Sequence, residues 1–410
     1  MTLAAAIVSS GEPDEPRSAS ALEVLRAFLR LGTTSFGGPI AHLGYFRDEF
    51  VVRRRWLCDG AFAELVALCQ FLPGPASSQV GFSIGLMRAG YGGALAAWIG
   101  FTLPSALLMT GFAYLAGSLG GRFGNGLLHG LGLVAVAVVA HAVLGMARRL
   151  CPDPARAFIG ILALVFTLLM SAAVAQVAVI GAGALLGYAL CRNVAVATED
   201  VPERMPVSRR AGGLALALFL VGLAAFPILQ RLLPSPALAL FAAFYRSGAL
   251  VFGGGHVVLP LLRAAVVSPG WVSDGEFLAG YGAAQAMPGP LFTVAAYLGA
   301  AARTPAHGIA GAALGLIGIF LPGLLILLAA LPFWDTLRRH SAARAAVLGV
   351  NAAVVGLLAA ALYSPLWIST VRSPADLLLA LAGLGLLVVA RVPPWAVVIL
   401  TVLGSVAFAR

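Results

Sequence analysis

The sequence predicts an all-α polytopic membrane protein with two homologous, inverted repeats, broken or re-entrant helices, and about 12 to 13 helices in total. Of its 410 residues, 60% are hydrophobic and only 10% are charged, whereas soluble proteins carry about a quarter charged residues. Apolar stretches near the length that crosses a ~30 Å hydrocarbon core recur from end to end. A third observation is a set of glycine and proline elements that occurs once in each half.

These repeated elements share one order and one spacing. The first half reads FGGP at residues 36–39 and QFLPGP at residues 70–75, and the second half reads FGGG at 252–255 and QAMPGP at 285–290. The offset is 216 at the phenylalanines (252 − 36) and 215 at the prolines (288 − 73). This agreement indicates an internal duplication. Helix breaks at matching places in two halves of a membrane protein point to a transport site.

The chain divides into four predicted segments. Residues 1–20 are expected to form a disordered N-terminal tail, 21–192 the first repeat, 193–234 a cytoplasmic loop with a linker helix, and 235–410 the second repeat. Predicted helices of the first repeat lie at 21–46, 60–88, 89–117, 127–147, 156–172 and 174–192. Those of the second lie at 236–262, 276–300, 307–331, 343–363, 376–391 and 393–409. If each repeat makes six crossings, the lone helix between them inverts the second repeat.

The distribution of arginine supports inversion. The loops at 148–156 and 338–344 are rich in arginine, whereas their counterparts near 372 and 122 are poor, as the positive-inside rule predicts for opposite orientations. The cluster Arg53–Arg55 falls on the wrong side. Either that segment lies at the membrane interface, or one broken helix is re-entrant and the number of crossings changes. Nucleic acid is excluded as a partner, because the arginines are scattered between apolar segments.

The Pro-Gly-Pro elements predict an anion site. Pro73 and Pro75 lack amide donors and Gly74 tolerates almost any backbone conformation, so one helix should end near Leu72 and another begin near Pro75. The second half-helix would direct unpaired N–H groups and a positive dipole end toward the membrane interior. The alternative is a kinked helix with a packing role.

The Phe-Gly-Gly elements allow a chain reversal or a close backbone approach within the membrane. Arginines that lie six residues before each of these elements are expected to contribute charge, since intramembrane charges are expensive and usually functional. The predicted substrate-binding residues are Arg30, Phe36, Gly37, Gly38, Pro39, Gln70, Pro73, Gly74, Pro75, Ser77, Ser78, Gln79, Arg246, Phe252, Gly253, Gly254, Gly255, Gln285, Pro288, Gly289, Pro290 and Thr293. Proton coupling or gating is assigned to His42, Glu64 and His256.

Other classes of protein find little support in the sequence. The G-x-S-x-G pattern at residues 81–85 lies in an apolar helix without the strand, turn and partner residues of a hydrolase. There is no P-loop for nucleotide binding, and the cysteines lack metal-ligand spacing. We therefore expect no enzyme activity, no metal and no cofactor. Transport would run on an ion gradient or on the membrane potential.

At these residues the chain resembles the chromate ion transporter (CHR) family, as a long member with two homologous domains. The resemblance rests on FGGPIAHLGYFRDEFV (36–51), QFLPGP (70–75), TLPS (102–105), FGGGHVVLP (252–260) and AQAMPGPLF (284–292). It implies a carrier of the bacterial inner membrane, an antiporter that exports chromate on the proton motive force and confers chromate resistance. Gly255 replaces the proline of the first element, so the two half-sites need not be equivalent.

The substrate and the assembly stay open at the level of sequence. Sulfate has the same charge as chromate and nearly the same shape, so a sulfate or general oxyanion permease is the close alternative. A structural membrane subunit is a third reading, but it would not need duplicated helix breaks. Expected partners are the oxyanion, protons and the lipid bilayer, and the oligomeric state is open, with a homodimer among the alternatives.

Overall fold

The computed structural model describes residues 20–118, 121–170, 173–192, 207–334, 336 and 340–408. All regular secondary structure in these residues is helical, which confirms the predicted all-α class. The predicted N-terminal tail up to residue 19, and residues 193–206 of the predicted loop, lie outside the described residues. Five described segments are long and apolar enough to cross a membrane: Ala76–Gly117, Gly124–Leu150, Arg209–Leu232, Gly308–Phe333 and Ser341–Thr370.

The first half of the chain is divided more finely than the apolar stretches predicted. Its elements are α1 (Ala21–Thr34), α2 (Gly38–Phe46) with a π-helical continuation (Arg47–Arg53), α3 (Asp59–Phe71), α4 (Ala76–Ser118), α5 (Gly121–Leu150), α6 (Pro154–Leu169) and α7 (Ala173–Leu190). Helix α8 (Arg209–Leu232) then connects the halves. The stretch predicted as one helix over 21–46 is split at the first Phe-Gly-Gly element.

The second half follows the same plan. Its elements are α9 (Pro236–Ala249), a 3-10 turn (Gly255–Val257), α10 (Val258–Val266), α11 (Asp274–Ala286), a 3-10 turn (Leu291–Thr293), α12 (Val294–Ala301), α13 (Gly308–Ala330), α14 (Ser341–Ala361), α15 (Pro374–Val388) and α16 (Pro394–Phe408). A π-helical segment (Leu362–Trp367) and the turn Ile368–Thr370 continue α14. The stretches predicted at 236–262 and 276–300 are each split at their glycine elements.

Helices α1 and α2 form a hairpin that returns to the end where it started. Its tip lies at the first Phe-Gly-Gly element, between Thr34 and Gly38. Arg54, just after the π-helical continuation, lies 3.6 Å from Glu23 in the first turn of α1. Midway along, the rings of Phe28 and Phe50 stack with their centroids 4.8 Å apart. Both ends of this segment therefore lie together, opposite its tip.

A second hairpin joins α3 to the first arm of α4, with Pro-Gly-Pro at its tip. Helix α4 is not continuous, because its backbone leaves the helical region at Ala89 and Gly90. It reverses there so sharply that a Cβ added to Gly85 would lie 2.8 Å from the carbonyl carbon of Gly93. The first arm covers 76–88 and the second arm 91–118. Arg88, at the end of the first arm, reaches Glu23 at 3.8 Å.

A tryptophan lies where the two ends of each hairpin meet, opposite the tips. The guanidinium groups of Arg54 and Arg88 lie 5.2 and 5.1 Å from the centre of the Trp56 ring. In the second half, Arg303 pairs with Glu276 at 2.9 Å and its amide donates to the carbonyl of Trp271 at 2.8 Å. Trp271 and Arg303 each follow their counterparts, Trp56 and Arg88, by 215 residues. The ends of the α11–α12 segment therefore meet at the equivalent position, through a different set of contacts.

Two of the long helices, α5 and α14, pack against helices of the opposite half. Helix α14 packs on α6 and α7, and α5 packs on α11, α15 and α16. Glycines make these contacts close: a Cβ added to Gly187 would lie 2.6 Å from the amide nitrogen of Gly349, and one added to Gly130 would lie 2.9 Å from the Cα of Val402. Each half therefore completes its packing with one helix from the other.

Candidate functional site

The four hairpin tips meet inside the protein through two reciprocal backbone hydrogen bonds. The amide of Gly74 donates to the carbonyl of Val251 at 2.7 Å, and the amide of Gly289 donates to the carbonyl of Ser35 at 2.9 Å. Val251 follows Ser35 by 216 residues, and Gly289 follows Gly74 by 215. The two bonds therefore join equivalent residues of the two repeats. In each of them, the Pro-Gly-Pro tip of one half lies against the Phe-Gly-Gly tip of the other half.

Backbone geometry explains why glycine occupies these tips. Gly37, Gly74, Gly253 and Gly289 have φ values of +99°, +122°, +77° and +92°, a region that side chains with a Cβ rarely adopt. Space is also limiting. A Cβ on Gly74 would lie 2.9 Å from the Cα of Gly323, and one on Gly289 would lie 3.1 Å from the carbonyl oxygen of Phe101.

Gln79 holds the first Pro-Gly-Pro tip in place. Its Nε2 donates to the carbonyl of Pro73 at 2.9 Å and to the carbonyl of Gly323 at 2.8 Å. The side chain is fully buried, and Gly323 lies on α13 of the opposite half. One amide group thus links the carbonyl of Pro73 at the tip to the carbonyl of Gly323 in the opposite half.

The second Pro-Gly-Pro tip is held by hydroxyl groups instead. Thr293 donates to the carbonyl of Pro290 at 2.8 Å, and its oxygen lies 2.6 Å from the hydroxyl of Ser105. Ser105 occupies the position in TLPS that Gly323 occupies in the second half, at an offset of 218. The two half-sites are therefore built alike but held by different chemistry.

The predicted substrate-binding residues fall into two groups by burial. The prolines and glycines of both Pro-Gly-Pro elements are buried with Ser77, Ser78, Gln79, Gln285 and Thr293, whereas Gln70 is exposed. Phe36, Pro39, Phe252 and their glycines are half-buried or buried at the other two tips. Arg30 and Arg246 are exposed on α1 and α9. Binding by all of these residues remains a prediction.

The three residues predicted to couple protons have different surroundings. His42 is fully buried, and its Nδ1 lies 3.4 Å from the hydroxyl of Ser77. The Nδ1 of His256 lies 2.7 Å from the hydroxyl of Tyr281. Glu64 lies away from the tips and accepts a hydrogen bond from the indole of Trp334 at 3.2 Å. No group of three or more His, Cys, Asp or Glu side chains among the described residues is placed to hold a metal ion.

A duplicated ion pair ties each first hairpin to the next and was missed by the sequence analysis. Arg47 pairs with Asp59 at 2.8 Å, and Arg263 pairs with Asp274 at 2.8 Å. The signal was present in the sequence, since a cation and an anion recur at offsets of 216 and 215. Each pair fixes the spacing between a Phe-Gly-Gly hairpin and the start of the Pro-Gly-Pro hairpin.

The two ion pairs should differ in strength. Side-chain exposure is 50% and 65% for Arg47 and Asp59, against 29% and 41% for Arg263 and Asp274. Exposed pairs contribute about 0 to 1 kcal/mol because solvent screens them. Since the Arg263 pair is the less exposed of the two, we expect Arg263→Ala to lower the melting temperature in detergent more than Arg47→Ala. Exchanging the partners, as Arg263→Asp with Asp274→Arg, should restore most of the loss. Equal losses for both alanine variants would contradict this ranking.

Helix breaks that meet within a bundle of apolar helices, at matching positions of two repeats, are typical of a polytopic membrane transporter. The chain belongs to the chromate transporter family, whose profile matches residues 22–188 and again residues 238–406. It is a multi-pass bacterial membrane protein. The two matches enclose all of the hairpin tips.

Relatives are similar over most of their length. The chain is 28% identical over 361 residues to a chromate transport protein of Pseudomonas aeruginosa, covering 86% of this chain and 83% of the relative. It is 27% identical over 349 residues to a chromate transport protein of Cupriavidus metallidurans, covering 83% and 81%. An uncharacterized transporter of Methanocaldococcus jannaschii is 26% identical over 350 residues, covering 83% of each chain. No solved structure matches the chain significantly.

Proposed function

We propose that this protein is a secondary active transporter that exports chromate from the cytoplasm, driven by the proton motive force, and so confers chromate resistance. The observation that carries the proposal is the reciprocal contact of the four tips, Gly74 with Val251 and Gly289 with Ser35, in a chain of the chromate transporter family. Chromate is a tetrahedral dianion whose oxygens only accept hydrogen bonds. Broken helices offer such an ion amide and hydroxyl donors without a buried lysine.

The re-entrant hairpins support an inverted arrangement with fewer crossings than expected. Because the hairpins return to their starting side, the crossings are the second arm of α4, then α5, α6 and α7, with α13 to α16 as their counterparts. Adding α8 gives nine proposed crossings among the described helices, four in each repeat and one between them, and the shorter apolar helices α6, α7, α15 and α16 make four of the nine. Since the first repeat and α8 together make an odd number, the second repeat is inverted relative to the first. The repeat boundaries at 192 and 235 belong to this proposal.

The arginines favour one orientation of this arrangement. In this arrangement fourteen described arginines would fall on the side where the hairpins of the first repeat open: Arg26, Arg47, Arg53, Arg54, Arg55, Arg88, Arg148, Arg149, Arg156, Arg192, Arg209, Arg210, Arg344 and Arg391. Five would fall on the other side: Arg122, Arg231, Arg263, Arg303 and Arg372. By the positive-inside rule the first side is cytoplasmic. The cluster Arg53–Arg55 then lies inside, because the segment before it does not cross.

The exchange of helices suggests what moves during transport. Helices α5 and α14 each pack in the opposite half, so neither repeat can move as a unit. The hairpins with the second arm of α4, α8 and α13 form one set, and α5 to α7 with α14 to α16 form another. Alternating access would move these two sets relative to each other, with the tips carried by the first. Arg30 and Arg246 would add positive charge six residues before the tips.

A sulfate or general oxyanion permease is the second candidate. Neutral hydroxyl and amide donors recognise charge and tetrahedral shape, and sulfate shares both with chromate.

The test is uptake of radiolabelled chromate by inverted membrane vesicles with an imposed proton gradient and sulfate as competitor. Gradient-dependent uptake that a protonophore abolishes supports export. Sulfate uptake without chromate uptake would replace the proposal with the permease. Chromate uptake that does not depend on the proton gradient would overturn proton coupling.

A further inference from the structure

Buried polar atoms without a hydrogen-bond partner lie near both pairs of tips, and several of those near the first Phe-Gly-Gly tip can donate to an anion. They include the hydroxyls of Ser35, Ser78 and Thr102 and the Nε2 of His42. Each of these residues is at most 3% exposed. Buried polar groups in proteins almost always have partners, because leaving one unsatisfied is costly. Four such groups in one region point to a ligand that supplies the missing partners.

Contacts of these residues or of their neighbours in the chain lie around the meeting of the first Phe-Gly-Gly tip with the second Pro-Gly-Pro tip. The carbonyl of Ser35 accepts a hydrogen bond from the amide of Gly289. The ring of His42 lies 3.4 Å from Ser77, next to Ser78, and its centroid lies 5.1 Å from that of Phe101, next to Thr102. We refer to the region defined by Ser35, His42, Ser78 and Thr102 as the hydroxyl half-site.

The equivalent residues of the second repeat lack these free donors. At the offsets of 216 and 218, Ser35 corresponds to Val251, His42 to Val258 and Thr102 to Phe320. Ser78 corresponds to Thr293, whose hydroxyl is already bonded to Pro290 and Ser105. The same backbone arrangement is therefore built in the second repeat without them, so the hairpin fold does not require these polar groups.

We propose that the transported oxyanion is bound asymmetrically at the hydroxyl half-site, by the hydroxyls of Ser35, Ser78 and Thr102 and the Nε2–H of neutral His42. This inference rests on the proposed function. When the Ser77 hydroxyl donates to Nδ1 of His42, the ring proton sits on Nε2, where it is a donor. His42 is then a hydrogen-bond donor to the anion and does not carry the coupled proton. Neutral donors hold a dianion while still allowing its release.

The first test is equilibrium binding of radiolabelled chromate, and separately sulfate, to the full-length protein in nanodiscs without any gradient. Thr102→Val removes one hydroxyl at nearly constant volume, and we expect binding to weaken at least about tenfold. Thr110→Val is the matched control on the same helix, since its hydroxyl is bonded to the carbonyl of Ala106 at 2.7 Å. It should bind like wild type. Ser35→Ala replaces Thr102→Val if that variant does not fold.

Equal binding by wild type and Thr102→Val would overturn the half-site while leaving the proposed function intact. Wild-type protein that binds sulfate but not chromate, and loses sulfate with Thr102→Val, would support the half-site and overturn chromate as the substrate. Failure of wild type to bind either ion would overturn both.

The second test concerns the role of His42. His42→Gln keeps a side-chain donor that does not titrate near neutral pH, and it should retain binding within about threefold and an unchanged pH profile of vesicle uptake. His42→Leu should lose binding by at least about tenfold. Loss of the pH dependence of uptake in His42→Gln would show that His42 carries a proton, and would overturn its assignment as a donor.

Discussion

Gly74→Leu should abolish transport while the protein still inserts into the membrane. Two effects act together at this position, because φ is +122° and an added Cβ would lie 2.9 Å from the Cα of Gly323. Displacing the tip also breaks the bond from Gly74 to Val251, which joins the two repeats. Gly289→Leu should have the same effect at the opposite tip. Vesicle uptake measures the loss, and immunoblotting of washed membranes measures insertion.

A control separates crowding at the tips from backbone strain in general. Gly270 has a φ of +77°, but an added Cβ there meets no atom within 4 Å. Gly270→Leu should therefore keep most of the uptake of wild type. Full uptake in Gly74→Leu would contradict the placement of the site at the tips. Equal loss of uptake in Gly74→Leu and Gly270→Leu would show that backbone strain alone causes the effect.

Gln79→Leu should reduce transport at least about tenfold and lower the thermal stability of the protein. The substitution removes the only amide that bonds both Pro73 and Gly323 among the described residues. The buried carbonyl of Pro73 is then left without a donor, which costs about 1 to 3 kcal/mol. Uptake and the melting temperature in detergent should fall together, since the same bonds hold the first tip against α13.

Gln176→Leu is the matched control for this prediction. Gln176 also donates its side-chain amide to a carbonyl of the other repeat, that of Pro260 at 3.1 Å, but it is only half-buried and makes that one bond. We expect a smaller loss of stability and uptake near that of wild type. A larger effect for Gln176→Leu than for Gln79→Leu would show that the first tip does not depend on Gln79.

The positions of the helix breaks could be predicted from the sequence because local chemistry sets them. Prolines without amide donors end α3 at Phe71 and let α4 begin at Ala76, as expected near Leu72 and Pro75. The duplication was equally visible, because glycine, proline, tryptophan and arginine recur in one register. What these breaks bind is still a prediction.

The sequence left open whether each broken helix crosses the membrane or returns, because composition does not show the direction of the chain. Two short apolar helices with a break between them have the length and hydropathy of one crossing, as at 21–46. The reversal at Gly90 lies in an apolar stretch with no proline. The bonds from Gln79 to Gly323 and from Gly74 to Val251 join residues far apart in sequence. A lone hydroxyl such as Thr102 usually bonds its own helix, so its lack of a partner emerges only from packing.

The exchange of α5 and α14 constrains how the chain is made. As synthesis proceeds from the N-terminus, α6 and α7 enter the membrane long before the helix that packs on them is translated. The helix surface at Gly183 and Gly187 has no packing partner until Gly349 has been synthesised. The first half should therefore be a target of quality-control proteolysis when expressed alone, and the second half should protect it when supplied as a separate polypeptide.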